Sequence, residues 1–293
     1  MFFIISFILF FIFSFCSFYF CSFSFLNNYS VYNCIINKFL HLNLYKINIL
    51  FIKMFFLILN LIISTFLSLI FVFLIFIFCL LIINKYSSNY SFKKQVLSSL
   101  SKFIIFFFRI KIKVHNQNII PLSEKLIIYA NHKSLFDPFI LSSVLPINIT
   151  FTPKDELYNG FLGSFLGFCF NSFDCIKIHR KDNKKTILNI NKTIEKMNKK
   201  NLNIVVFHEG GRKNKQNDKI INSLEGSFKI AIKSQSSIIP ISIKGSSDMI
   251  GKCWFRKKEI ELFIHPKINF QDYQEQTTTK INKKVNNIIN SVL

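Results

Sequence analysis

The chain has 293 residues, of which 37 are Lys or Arg and 15 Asp or Glu, giving a formal net charge of +22. That length suits one medium-sized domain with appendages, and the cationic excess favours anionic partners such as phospholipid headgroups or nucleic acid. The seven cysteines are scattered and show no CxxC pair, which excludes a zinc finger and a disulfide framework and leaves them as packing residues.

Residues 1–26 carry no charge and are mostly Phe, Ile, Leu, Ser and Cys. A bilayer crossing needs about 20 apolar residues, so this stretch reads as a transmembrane or signal-like leader, although it lacks the usual basic start. Residues 27–53 form a basic linker with Lys38, Lys46 and Lys53 and no acid, so the two together resemble a two-part organelle leader. Residues 54–84 hold no charged side chain over 31 positions. This is a membrane helix or a helical hairpin, since it exceeds one perpendicular span. Lys85, Lys93, Lys94, Lys102 and Arg109 follow it and place the C-terminal part on the cytosolic or equivalent side. The apolar run 103–108, FIIFFF, is an interfacial contact or a buried strand.

A domain is expected over 105–293. Short apolar runs at 125–130, 147–152, 202–207, 238–243 and 259–264 read as strands. Between and after them, Ile187, Ile190, Ile194 and Met197, the stretch 226–234, and Ile281, Val285, Ile288 and Val292 recur at helical spacing. The alternation predicts an α/β fold with a mixed, largely parallel sheet flanked by helices, preceded by N-terminal membrane helices.

Three stretches at strand ends carry candidate chemistry. The first is NHKSLFD, residues 131–137. Six His and seven Asp predict about 0.14 His–Asp pairs at an offset of five by chance, so the pair needs context. On a straight helix His132 and Asp137 would point about 140° apart. They meet only where a loop bends into a helix, with Ser134 as N-cap and Pro138 at an early helical position. Asp137 then holds one ring nitrogen of His132 and leaves the other as a base, the base–orienter half of a triad. The plain alternative is a surface His beside a helix-capping Asp. The second stretch is VVFHEGGRKNK, residues 205–215. Gly210 and Gly211 let backbone N–H groups approach an anion, and Arg212 offers a planar fork for phosphate. Glu209 repels phosphate and so holds Arg212 or bonds an acceptor hydroxyl. A polar turn is the plain alternative here. The third is CIKIHRKD, residues 175–182, a short strand delivering Arg180 as a second clamp, or simply a basic solvated turn.

Taken in order, these stretches resemble the glycerolipid acyltransferase family, and within it the 1-acyl-glycerol-3-phosphate acyltransferases. NHKSLFD matches an Asn-His-four residues-Asp block. IKIHR loosely matches a second block ending in Arg, FHEGGR a Phe-Pro-Glu-Gly-Thr-Arg block, and IIPISI with Pro240 an apolar strand containing Pro. TPKDEL at 152–157 and EGSFKIAIKSQ at 225–235 are similar to sequence between those blocks. Two positions depart from the pattern: His208 stands for Pro and Gly211 for Thr, which bears on the acceptor.

The resemblance implies a membrane-bound O-acyltransferase. His132 and Asp137 would be catalytic, and Asn131, Glu209, Gly210, Gly211, Arg212 and Arg180 would bind substrate. The acyl group would pass from acyl-CoA or acyl-carrier protein to the sn-2 hydroxyl of lysophosphatidate, giving phosphatidate for phospholipid synthesis, with no bound cofactor, metal or protein nucleophile. The lipid bilayer is the implied partner, in the endoplasmic reticulum or a plastid-like organelle. Nucleic acid is not expected, because the aromatic residues sit in charge-free runs rather than among the lysines. The alternatives are the same fold acylating glycerol-3-phosphate or another lysophospholipid, and a non-enzymatic, membrane-tethered basic protein that binds polyanions.

Overall fold

The computed structural model describes residues 43–85, 90–178, 183–200, 202–212, 216–249 and 256–293. The leader expected over 1–26 and the clamp expected at Arg180 lie outside the described residues. The chain divides into two compact units, Met1–Ile82 and Ile83–Leu293.

The described part of the first unit is helical. Helix α1 (Asn43–Lys85) is continuous rather than a hairpin, and it starts within the stretch expected to be a linker. Nothing in its sequence stops it, since residues 43–85 contain neither Pro nor Gly. Its Phe51–Asn84 segment is long and apolar enough to cross a membrane by length and composition. At 1.5 Å per residue that segment extends about 51 Å, beyond the ~30 Å of a hydrocarbon core. Its large side chains point outward, Phe55, Phe66, Leu69 and Phe78 each exposing more than 60% of their surface.

The second unit is a six-stranded sheet with helices on both faces. After helix α2 (Tyr90–Phe107) come β1 (Ile110–His115), β2 (Leu126–Ala130), helix α3 (Asp137–Val144) and β3 (Ile149–Phe151). Helices α4 (Gly160–Ser172) and α5 (Asn183–Lys200) lead to β4 (Asn203–Val206). Helix α6 (Lys229–Ser234), β5 (Ser237–Lys244), β6 (Lys258–Ile264) and helix α7 (Thr278–Asn290) complete it. The strand order is β1-β6-β5-β2-β4-β3. Every pairing is parallel except β5 with β6, as the alternation of strand and helix predicts.

Two stretches that the pattern allowed as strands take another form. Residues 103–108 are not a strand; 103–107 are the last turns of α2, which ends where Arg109 takes a left-handed φ of 53° and turns the chain into β1. The 175–178 stretch makes a single bridge, Ile178 to Lys154, instead of a strand. Three elements, α2, β1 and α4, were not anticipated. IKIKVH alternates apolar and charged residues at period 2 and, among the described residues, pairs only with β6, as an edge strand with lysines on its exposed side does.

Each face of the sheet has its own core. Ile128, Ala130, Val205, Ile239, Ile241 and Leu262 pack with Ile140 and Leu141 of α3 and Ile105 of α2. Ile127, Tyr129, Ile204, Val206 and Ile238 pack on the opposite face with Met197, Ala231, Val285 and Ile289. Strand β2 is therefore buried on both sides, which is why its sequence, LIIYA, is apolar without alternation. Each fully buried Ile or Leu here contributes about 1.5–3 kcal/mol from burial. Pro240 is tolerated in β5 because the ladder to β6 begins one residue later, at Ile241.

Candidate active site

Three neighbouring parallel strands, β4, β2 and β5, end side by side, and each delivers one functional segment. Asn131 and His132 follow β2, Glu209 to Arg212 follow β4, and Ser246 follows β5. The carboxyl ends of parallel strands are where open α/β sheets place their sites.

The His–Asp geometry forms as the loop-to-helix bend requires. His132 Nδ1 lies 2.8 Å from Asp137 Oδ2, with the Asp137 side chain fully buried and the imidazole 17% exposed. The same oxygen accepts the backbone N–H groups of Lys133 and Ser134, both at 2.9 Å, and Asp137 Oδ1 accepts the Ser246 hydroxyl. Four donors thus hold one carboxylate. Acting as an acceptor toward Nδ1, it fixes that nitrogen as N–H and leaves Nε2 with its lone pair. The ring lies flat against Phe207, 4.2 Å between centroids. Ser134 does not cap α3; the helix starts at Asp137 after Phe136, and the Ser134 hydroxyl instead accepts the Phe136 N–H at 3.2 Å.

The Asn131 side chain is turned to the protein itself. It is fully buried, its amide donates to the carbonyls of Ile243 at 2.8 Å and Asp218 at 3.1 Å, and its oxygen accepts the Ile243 N–H at 2.7 Å. Its donors and an acceptor lone pair are used in tying the end of β2 to the end of β5.

Glu209 also has another task than holding Arg212. Its Oε1 accepts the His132 N–H at 2.7 Å, and its Oε2 pairs with Lys133 Nζ. Burial pushes the Glu209 carboxyl above its ordinary value, against the opposing pull of Lys133 and the His132 N–H. Gly210 and Gly211 have φ of 74° and 145°, conformations that glycine adopts without strain. A Cβ on Gly211 would sit 3.2 Å from Lys154 Nζ, so a second cation lies at this turn. Arg212 is half-buried beside it.

His208 is no rival base. It is 1% exposed, and burial lowers its pKa to about 4. Its neutral ring pairs through Nε2 with Asn286 Oδ1 at 2.7 Å. Asn286 also donates to Ser223 Oγ, and Asn290, one turn on, bonds both backbone groups of Ile220. Helix α7 thereby straps the segment that follows Arg212. Asp218, in that segment, accepts the N–H groups of Gly245 and Ser247 at 2.6 and 2.7 Å, which places Ser246 on Asp137.

Lys133, Ser246, Asp218 and Lys154 are site residues that sequence reasoning missed. Lys154 lies in the TPKDEL stretch already noted for its likeness, so its signal was present. The others show themselves only through long-range pairing: Ser246 lies 109 residues from Asp137. Among the described residues no group of three or more His, Cys, Asp or Glu is arranged to hold a metal ion.

Residues 111–244 match the family model described as Acyltransferase. A 1-acyl-sn-glycerol-3-phosphate acyltransferase of Saccharomyces cerevisiae is 29% identical over 42% of this chain and 40% of its own length. A probable 1-acyl-sn-glycerol-3-phosphate acyltransferase of Mycoplasma genitalium is 32% identical over 55% of this chain and 58% of its own. The chain thus spans about half the length of the curated relatives it matches. The crystal structure of the 1-acyl-sn-glycerophosphate (LPA) acyltransferase PlsC from Thermotoga maritima shares the fold. Its TM-score is 0.55 at 20% identity, covering 68% of this chain and 79% of that one.

Proposed function

We propose that this chain, which carries an acyltransferase-family domain over residues 111–244, transfers a fatty acyl group from a thioester donor to the sn-2 hydroxyl of lysophosphatidate. The observation that carries the reading is the His132–Asp137 pair at 2.8 Å beside a turn that bears Gly210, Gly211 and Arg212.

His132 Nε2 accepts the hydroxyl proton as the oxygen attacks the acyl carbonyl. Asp137, on Nδ1, stabilises the imidazolium that forms. The tetrahedral intermediate collapses, the C–S bond breaks, and His132 returns the proton to the departing thiolate. No acyl-enzyme forms, so the cysteines have no part in it. The donor is acyl-CoA or acyl-carrier protein.

The acceptor phosphate is held by Arg212 and by Lys154 at the Gly211 turn, with Gly210 and Gly211 offering backbone N–H groups. Arg180 joins them as a further clamp. Asn131 acts indirectly, by fixing the strand end that carries His132.

Acceptor and product both partition into a bilayer. A tether formed by the Phe51–Asn84 helix keeps the domain where its substrate is concentrated. Leu135, three residues from His132, exposes 66% of its surface and Phe106 76%, apolar side chains suited to a lipid interface. The domain then faces the cytosol or an equivalent compartment at an endoplasmic-reticulum or plastid-like membrane.

Membranes containing the full chain, given a long-chain acyl thioester and a panel of acceptors, test the reading. Phosphatidate formed from lysophosphatidate is the expected product. A preference for an acceptor without a terminal phosphate monoester contradicts it.

A further inference from the structure

Lysine directly after the base is an unexpected residue to find with its side chain completely buried. Lys133 is 1% exposed as a residue, and its ammonium group is spent on the Glu209 carboxylate, itself 5% exposed. Burying both charges is costly unless they neutralise each other. Glu209 is fixed in place because its other oxygen holds the His132 backbone at 2.7 Å. Yet Glu209 immediately precedes Gly210, Gly211 and Arg212, the turn that must meet the acceptor's charge. An uncompensated carboxylate there repels a phosphate.

We propose that Lys133 is a specificity-determining residue for the acceptor: by cancelling the charge of Glu209 it lets the adjacent Gly-Gly-Arg turn hold a doubly charged phosphate monoester. The ammonium does not reach the phosphate itself, since none of the Lys133 side chain is accessible. Among the described residues, Lys154, near Gly211, and Arg212 are cations at the turn. Asp137 is one backbone contact away, accepting the Lys133 N–H at 2.9 Å, and its charge is spent on His132 and three other donors. With the Lys133–Glu209 pair neutral, the cations at the turn face the dianion unopposed. Without Lys133, one of them is offset by Glu209. A phosphodiester headgroup, with one negative charge, is less sensitive to that loss.

This inference rests on the reading of the site as a lysophosphatidate acyltransferase, and the two fail separately. Wild-type membranes that do not acylate lysophosphatidate overturn both. If the wild type is active, three full-length forms are compared: wild type, Lys133→Met, and Lys133→Met with Glu209→Gln. A glutamine at 209 still accepts the His132 N–H while removing the charge. Lys133→Met is expected to raise the KM for lysophosphatidate about tenfold or more, with the KM for the acyl thioester unchanged and a smaller effect on a phosphodiester lysophospholipid. The double variant is expected to recover to within about threefold of wild type, because removing both members of a buried pair leaves no lone charge. Lys133→Met with an unaltered acceptor KM overturns the proposal. So does a double variant as weak as the single one, which would assign the ammonium a direct contact or a packing role. The double variant also decides the matter where Lys133→Met alone does not fold.

Discussion

Asp137→Asn isolates the charge of the orienting group from its geometry. In the native site Oδ2 accepts three N–H groups, from His132 Nδ1, Lys133 and Ser134, and Oδ1 accepts the Ser246 hydroxyl. An asparagine whose carbonyl takes the place of Oδ2 keeps all three acceptor bonds. Its amide then donates to the Ser246 oxygen, which rotates its proton away. The imidazole tautomer and ring position survive, and only the negative charge beside the developing imidazolium is lost. Two unit charges about 4 Å apart interact by about 4 kcal/mol at an effective dielectric near 20, which corresponds to about a 10³-fold loss of rate. The assay is the initial rate of phosphatidate formation in detergent-solubilised full chain, with thermal unfolding as a control. We expect kcat to fall by about three orders of magnitude while the unfolding midpoint moves little. A variant that keeps its rate within about fivefold would show that Asp137 is a structural capping residue and that its charge does not serve the reaction.

Two further outcomes follow from the neighbouring loop. The His208 ring binds a proton only near pH 4 when folded but near 6.5 when unfolded. Acid therefore favours the unfolded chain, and stability falls as pH drops from about 6.5 to about 4, by about 3 kcal/mol in total; unfolding curves across that range should lose this component in His208→Gln, and an unchanged pH slope contradicts it. Gly211→Ala forces a side chain into a φ of 145° and sets its Cβ 3.2 Å from Lys154 Nζ. At a strain cost of about 1–3 kcal/mol it should raise the lysophosphatidate KM, with the thioester KM as the control that stays put; an unchanged acceptor KM removes this turn from phosphate binding.

Much of this fold is legible from the chain because burial writes itself into local pattern. LIIYA in β2 and the IVV of β4 are apolar without interruption because both faces of these strands are covered. The last helix shows Ile281, Val285 and Ile289 on one side because only one side meets the sheet. Strand β1 is not among the apolar runs because alternate lysines interrupt it, although period-2 alternation is what an edge strand requires. The run 103–108 allowed an interfacial contact or a buried strand because a short apolar run does not itself distinguish strand from helix. Within the site, the offset of five between His132 and Asp137 was readable, since only a bend brings them together. The partners of Glu209 and Asn131 were not. Lys133 pairs with a residue 76 positions on, and Asn131 with Ile243, 112 positions on. Such contacts depend on which strands lie side by side, and strand order leaves no local trace.

The proposed reaction depends on His132 removing the acceptor proton. The most direct measurement is the rate of phosphatidate formation by His132→Ala against wild type, with saturating acyl thioester and lysophosphatidate and matched amounts of folded full chain. Loss of activity by about 10³-fold or more, with lysophosphatidate binding retained, is the predicted result. A His132→Ala chain that turns over at the wild-type rate contradicts it.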